Sequence, residues 1–341
     1  MSEATFDILR TLLPIEATSG AEIAVMERTE ALLQERGYPV ERIYVDNSDR
    51  FNLLAVHKEP TVILTTHLDT VPPHLQWRED KTNFYGRGAC DAKGCAAAMI
   101  AAADKLRADD LPHALLFVVG EETSSDGAKT TARDMAHRLS ATRYIIDGEP
   151  TDCRWVRGTL GVLAGQVIAQ GKAAHSAYPE RGHSATADLI EVLHSWVNKE
   201  LPEDPDFGRT YINIGTIAGG AAANVIAAHA EALVLARCTV PHQQVLDLLR
   251  ADMPSNMSWQ TRSGSDPQRL VLPPGVNDSI VVRFGTDVPF LAALAPCLLY
   301  GPGSIEVAHS AHEYVSKREL SIAAQDYEAA VRALLNQEPS L

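Results

Sequence analysis

Four short apolar runs, NLLAV, TVILTT, ALLFVV and YIID, follow one another between residues 52 and 147, separated by loops and by an alanine-rich stretch from Ala92 to Leu106. Runs of this length bounded by turn signals read as strands, and the alanine-rich stretch reads as a helix. Strands alternating with helices specify an α/β sheet. In such sheets, functional groups collect just outside the carboxyl ends of the strands.

The residues at those ends share one chemistry. TVILTTHLDT ends in His67 and Asp69, ALLFVVGEET in Glu121 and Glu122, and YIIDGEP in Asp147 and Glu149. A later run, CLLYGPGSIEVAH, delivers His309, and GRGACDAKG places Asp91 at the start of the alanine-rich helix. Gly86 and Gly88 before it would let backbone pass close to an ion. Taken singly, paired glutamates are usually a solvated turn and a lone histidine is usually packing or surface. Jointly, they fall where one sheet would converge them. Neighbouring extended residues point opposite ways, so of Glu121 and Glu122 one can bind metal while the other stays free as a base. Two divalent ions about 3.5 to 4 Å apart, bridged by a carboxylate and a water, would lower that water's pKa to about 7. Mixed imidazole and carboxylate ligands suit zinc, cobalt or manganese.

Elsewhere the pattern is that of two domains. SGAEIAVMERTEALLQERG predicts an amphipathic helix opened by a capping box, Ser19 with Glu22, and stopped at Gly37. From about Gly158 the order becomes β-α-β-β-α with a last strand near Trp259, as in the ferredoxin-like split βαβ unit. Its first helix carries Leu189, Ile190, Leu193, Trp196 and Val197 on one side, and the polar TRSGSDPQR reads as the return linker. Residues 1–157 and 264–341 are thus expected to form a catalytic domain and 158–263 an inserted one. A final helix is expected over about Ile322 to Leu335.

Bulk properties narrow the function. The 341 residues are 45% hydrophobic with a net charge of −14, which suits a globular protein and argues against nucleic acid as a partner. No apolar run is long enough to span a bilayer and the N-terminus has no signal-peptide pattern, so a cytoplasmic location follows by default. Five scattered cysteines without a C-x-x-C pair read as reduced thiols. Cys90 and Cys95 have no sequence-local histidine to activate them, and GRGACD and DAKG both fail as phosphate loops.

The strings HLDTV, GRGACDAKG, GEET, GEPT and GPGSIEVAHSAHEYV, in order from residue 67 to 315, resemble the acetylornithine deacetylase and succinyl-diaminopimelate desuccinylase family of dinuclear zinc amidohydrolases. GTDVPFLAAL with GPGSIEVAH most resembles acetylornithine deacetylase. The resemblance implies a mixed-sheet, zinc-exopeptidase-like α/β catalytic domain with an inserted ferredoxin-like dimerisation lid. It implies that His67, Asp91 and Glu149 hold one metal and that Asp91, Glu122 and His309 hold the other. Glu121 would be the general base and Asp69 would orient His67. Asp147 is a rival for Glu149. His175 in GKAAHSAYP would reach a neighbouring subunit's site and stabilise an oxyanion. Asn224 and Arg237 would contact the substrate's α-carboxylate, with a structural salt bridge as the alternative for Arg237. The activity implied is deacylation of an N-acyl amino acid such as N-acetylornithine, within arginine biosynthesis, by a homodimer. A dipeptidase or carboxypeptidase of the same fold is the alternative, and a non-catalytic binding relative a more distant one.

Overall fold

The computed structural model describes residues 2–337, which divide into two units. One comprises residues 2–157, 270–280 and 286–337, the other Gly158–Arg269 and Val281–Gly285.

The first unit is built on a sheet of β1 (Val40–Tyr44), β2 (Phe51–His57), β3 (Val62–His67), β4 (His113–Val118) and β5 (Tyr144–Asp147), continued by Cys297–Leu299. Their order is β1-β2-β4-β3-β5 and then Cys297–Leu299. The pairs β4–β3, β3–β5 and β5 with Cys297–Leu299 are parallel, whereas β1–β2 and β2–β4 are antiparallel. Four parallel strands therefore end along one edge. Both β3 and β4 are buried at every residue, as parallel strands covered on both faces must be.

Helices α1 (Ser2–Leu12), α2 (Ile23–Glu35), α3 (Lys93–Ala108) and α4 (Asp126–Met135) and the C-terminal helix Lys317–Leu335 cover the sheet. All residues of α3 from Lys93 to Ala103 are buried, and it packs on α1, the C-terminal helix, β3 and β4. A helix apolar all round can be buried all round, and alanine lets its neighbours come close.

Two local expectations need correction. Ser19 and Glu22 form no capping box: Ser19 Oγ donates to Asp69 Oδ2 at 2.6 Å, and Glu22 is claimed by Arg50 at 2.7 Å. The capping box lies instead at Ser316 and Glu319, so the final helix starts at Lys317. The two glycines before Asp91 meet a requirement of the backbone itself. Gly88 has φ +85°, and a Cβ there would meet Lys93 and Thr70 at 3.0 Å, while Gly86 would meet Trp77 at 3.2 Å.

The second unit contains β6 (Gly161–Gln170), α5 (Ala185–Asn198), β7 (Tyr211–Gly219), β8 (His229–Cys238), α6 (His242–Arg250) and β9 (Met257–Ser265). Its sheet runs β7-β8-β6-β9, antiparallel throughout, which is the ferredoxin-like arrangement. Leu189, Leu193 and Trp196 of α5 pack on Val167, Val234 and Trp259. Ile190 and Val197 do not join them, being 62% and 53% exposed. The TRSGSDPQR stretch is not all linker, because β9 continues through Ser265, which pairs with Val162. An edge strand with one face in water tolerates such polar residues, which hid it from the apolar pattern.

Candidate metal centre

Each element of the first unit brings one part to the carboxyl edge. His67 closes β3 and is 2% exposed. Its Nε2 lies 3.0 Å from Asp91 Oδ1 and 3.9 Å from Glu149 Oε1. Asp91, just ahead of α3, turns its other oxygen to His309 Nε2 at 3.2 Å. His309 Nε2 is in turn 3.0 Å from Glu122 Oε1. Asp91 thus stands between two imidazoles, with Glu149 beyond one and Glu122 beyond the other. Donor atoms of His67, Asp91 and Glu122 lie within 4.8 Å of one another, as do those of His67, Glu121 and Glu149. Glu149 joins these groups and Asp147 does not.

The supporting shell is as specific. His67 Nδ1 donates to the Asp69 carbonyl at 3.0 Å, which orients the ring with Nε2 toward Asp91. The Asp69 carboxylate, fully buried, accepts from the backbone N–H of Glu121 at 3.1 Å and of Glu122 at 3.2 Å. One aspartate therefore ties the His67 strand to the paired glutamates. The turn that presents them needs Gly120, with φ +77°, since a Cβ there would fall 2.0 Å from Asp126 Oδ1.

Electrostatics asks for cations at this place. Burial pushes Glu121 and Glu149 well above the usual carboxylate range, helped by their mutual repulsion and by neighbouring acids. Burial, then Asp287, raises Asp147 to about 8, and its Oδ2 has no hydrogen-bond partner. Hydrogen bonds to Asp91 and Glu122 raise His309 to about 10. Burial would raise Asp91, but His309 and His67 outweigh it and hold it low. So many converging carboxylates with two imidazoles form a donor set that fits divalent metal ions of the borderline kind. All five cysteines are free, and burial raises the thiols of Cys90 and Cys95 far from thiolate chemistry.

Known proteins resemble this chain in sequence and in fold. Peptidase family M20/M25/M40 matches residues 63–333. The chain belongs to this family. It is 36% identical over 326 residues to a peptidase M20 domain-containing protein of Schizosaccharomyces pombe, covering 91% of this chain and 80% of that protein. It is 35% identical over 372 residues to a probable carboxypeptidase of Aspergillus terreus, covering 96% and 85%. In fold it matches the aminopeptidase PepT of Bacillus cereus with a TM-score of 0.81 at 18% identity, covering 98% of this chain and 99% of that one. A metallo-carboxypeptidase of Sulfolobus solfataricus gives 0.74 at 14% identity, covering 98% and 99%. The chain is thus a metal-dependent hydrolase of the M20 peptidases. These relatives are named as peptidases or carboxypeptidases, not specifically as acetylornithine deacetylases.

The inserted unit of this M20 chain keeps its candidate residues apart. His175 is exposed, bridges Val225 and accepts from the Ala177 N–H at Nδ1, 3.1 Å, so a neutral ring carries its proton on Nε2. Asn224 is its neighbour, its carbonyl accepting from the Ser176 N–H at 3.0 Å. Arg237 is elsewhere: it pairs with Tyr211 at one end of the β7–β8 ladder, while Asn224 lies beyond the other end, past Gly219 and Ala230. That ladder is on the order of 25 Å long at about 3.3 Å per residue. Sequence reading also passed over Arg87 and Glu313, although both lie inside the quoted strings GRGACDAKG and GPGSIEVAHSAHEYV. They form a buried ion pair at 2.6 Å beneath the centre. Among the described residues, no helix is long and apolar enough to cross a membrane.

Proposed function

We propose that the protein is a dinuclear metallo-exopeptidase that hydrolyses the amide bond of dipeptides or other short peptides carrying a free α-carboxylate. The observation that carries the chemistry is the alternation of His67, Asp91 and His309 with Glu149 and Glu122 outside, beside an uncommitted Glu121. His67, Asp91 and Glu149 would hold one ion and Asp91, Glu122 and His309 the other, with zinc first and cobalt or manganese as alternatives. Such ions polarise the scissile carbonyl and acidify water. Glu121 takes the proton of the attacking water and returns it to the leaving amine nitrogen. Asp69 keeps the His67 ring and the Glu121–Glu122 backbone in register for that transfer. Arg237 suits a carboxylate because its guanidinium is a fork, and His175 Nε2–H suits a developing oxyanion.

Peptide cleavage is preferred because relatives at 34–36% identity bear carboxypeptidase or peptidase names. Deacylation of N-acyl amino acids, with N-acetylornithine as the test compound, is the second reading, favoured by the strings GTDVPFLAAL and GPGSIEVAH. The two need the same bond-breaking chemistry. Purified protein loaded with Zn²⁺, Co²⁺ or Mn²⁺ and offered free dipeptides, N-blocked dipeptides and N-acetylornithine separates them by kcat/KM. Turnover of N-acetylornithine with none on peptides would reverse the preference. Because Asn224 and Arg237 stand at opposite ends of one hairpin, a single α-carboxylate meets both only if they come from two chains. A symmetric homodimer is therefore part of the proposal, and a monomer at working concentration by light scattering would remove it.

A further inference from the structure

We propose that the Arg87–Glu313 pair is a positioning strut that locks the two ligand-bearing loops together and thereby sets the affinity of the centre for its cations. The inference rests on the metal centre proposed above. Arg87 is 2% exposed and Glu313 1%, and Arg87 Nη1 donates to Glu313 Oε2 at 2.6 Å. The other oxygen, Oε1, accepts from the backbone N–H of Cys90 at 3.2 Å and of Asp91 itself at 3.3 Å. In the opposite direction, Arg87 donates to the carbonyls of His309 at 3.4 Å and Ser310 at 3.3 Å. Nε reaches the Pro73 carbonyl at 3.3 Å.

The arrangement is reciprocal. Arg87 belongs to the loop of Asp91 and grips the backbone at His309, whereas Glu313 belongs to the loop of His309 and grips the backbone at Asp91. Neither side chain is placed as a ligand. A buried ion pair kept only for cohesion has little advantage over well-packed apolar residues. What apolar residues could not supply is this set of bonds to the main chain at two proposed ligands. His309 also has φ +62°, a conformation that a residue with a Cβ keeps only when its surroundings hold it. The Arg87 bonds at carbonyls 309 and 310 do that holding. Lysine could not replace the fork, since one ammonium cannot serve four acceptors spread around a planar guanidinium.

The test is Zn²⁺ titration of chelator-stripped protein against a chromophoric competitor, with the thermal midpoint of the metal-free protein measured alongside. Arg87→Lys keeps the charge and loses the fork. The double variant Arg87→Met with Glu313→Gln leaves no unpaired buried charge and covers the case in which the single variant does not fold. A folded variant is expected to bind Zn²⁺ roughly 10- to 100-fold more weakly than wild type, the range found when groups behind metal ligands are changed. Affinity within threefold of wild type in either folded variant overturns the strut. Wild-type protein that binds no Zn²⁺ would overturn the metal centre and the strut together, so the two failures are distinguishable.

Discussion

Two histidines of one sheet, equally buried, have opposite surroundings. His67 ends β3 and is 2% exposed, while His113 begins the adjacent parallel strand β4 and is fully buried. Around His67 burial opposes the charged ring, but hydrogen bonds with Asp69 and Asp91 and the nearby Glu149 outweigh it, and the pKa is raised. Around His113, burial dominates and the pKa is lowered to about 4. The Tyr38 hydroxyl sits 2.9 Å from Nε2 and the Leu111 carbonyl 2.8 Å from Nδ1, with His57 and Arg107 adding further positive charge nearby. The amino edge of the sheet thus keeps its histidine neutral and packed, and the carboxyl edge surrounds its histidine with acids. Burial alone identifies neither as functional; the sign of the surrounding charge does.

The sharpest way to break this contrast is at Asp91, which the imidazoles of His67 and His309 share. Asp91→Ala is expected to reduce hydrolysis to background and to lower the bound metal measured by elemental analysis, and treatment with a chelator should do the same to wild type reversibly. An Asp91→Ala protein with full metal content would show that His67 and His309 do not share a carboxylate ligand. Next in size is Glu121→Gln, which removes the base and leaves the other donors in place. We expect kcat to fall about 10²- to 10⁴-fold with metal content unchanged. Loss of metal in that variant would make Glu121 a ligand, an outcome its place in the His67–Glu149 group makes meaningful. Asp69→Asn is smaller still. The amide can still accept one of the bonds from Glu121 and Glu122, so a loss of about 10- to 100-fold in kcat/KM or metal affinity is expected. Activity equal to wild type would reduce Asp69 to a turn residue.

The carboxyl edge was legible in the sequence because its residues follow directly on strands. His67, Glu121, Glu122 and Glu149 sit at or within three residues of a buried run, so pattern alone brought them together. What holds them was not legible. Ser19 to Asp69 spans 50 residues and Arg87 to Glu313 spans 226, and nothing local in either sequence marks the partner. Ser19 and Glu22 even carried a false local signal, since a capping-box spacing says nothing about Arg50 competing for the glutamate. In the inserted unit, Ile190 and Val197 looked like core because helical periodicity cannot tell a buried face from an uncovered apolar one. Local order fixes elements; long-range pairing decides which polar groups they orient.

The smallest effect is expected at the other edge, where His113 should matter to stability and not to turnover. A neutral histidine that takes up its proton at about 4 when folded, against the ordinary 6.5, leaves the unfolded chain binding more protons between those values. Its contribution is therefore complete above pH 6.5 and is lost as pH falls toward about 4, by roughly 3 kcal/mol at most. Urea unfolding of metal-free protein at pH 7, 5.5 and 4.5 reads this out against His113→Phe, whose stability should be lower at pH 7 because the Tyr38 hydroxyl loses its acceptor. The gap between the two proteins should close as the solution is acidified. Constant separation across the three pH values would mean that His113 titrates normally, and the two edges of the sheet would then differ in position without differing in charge.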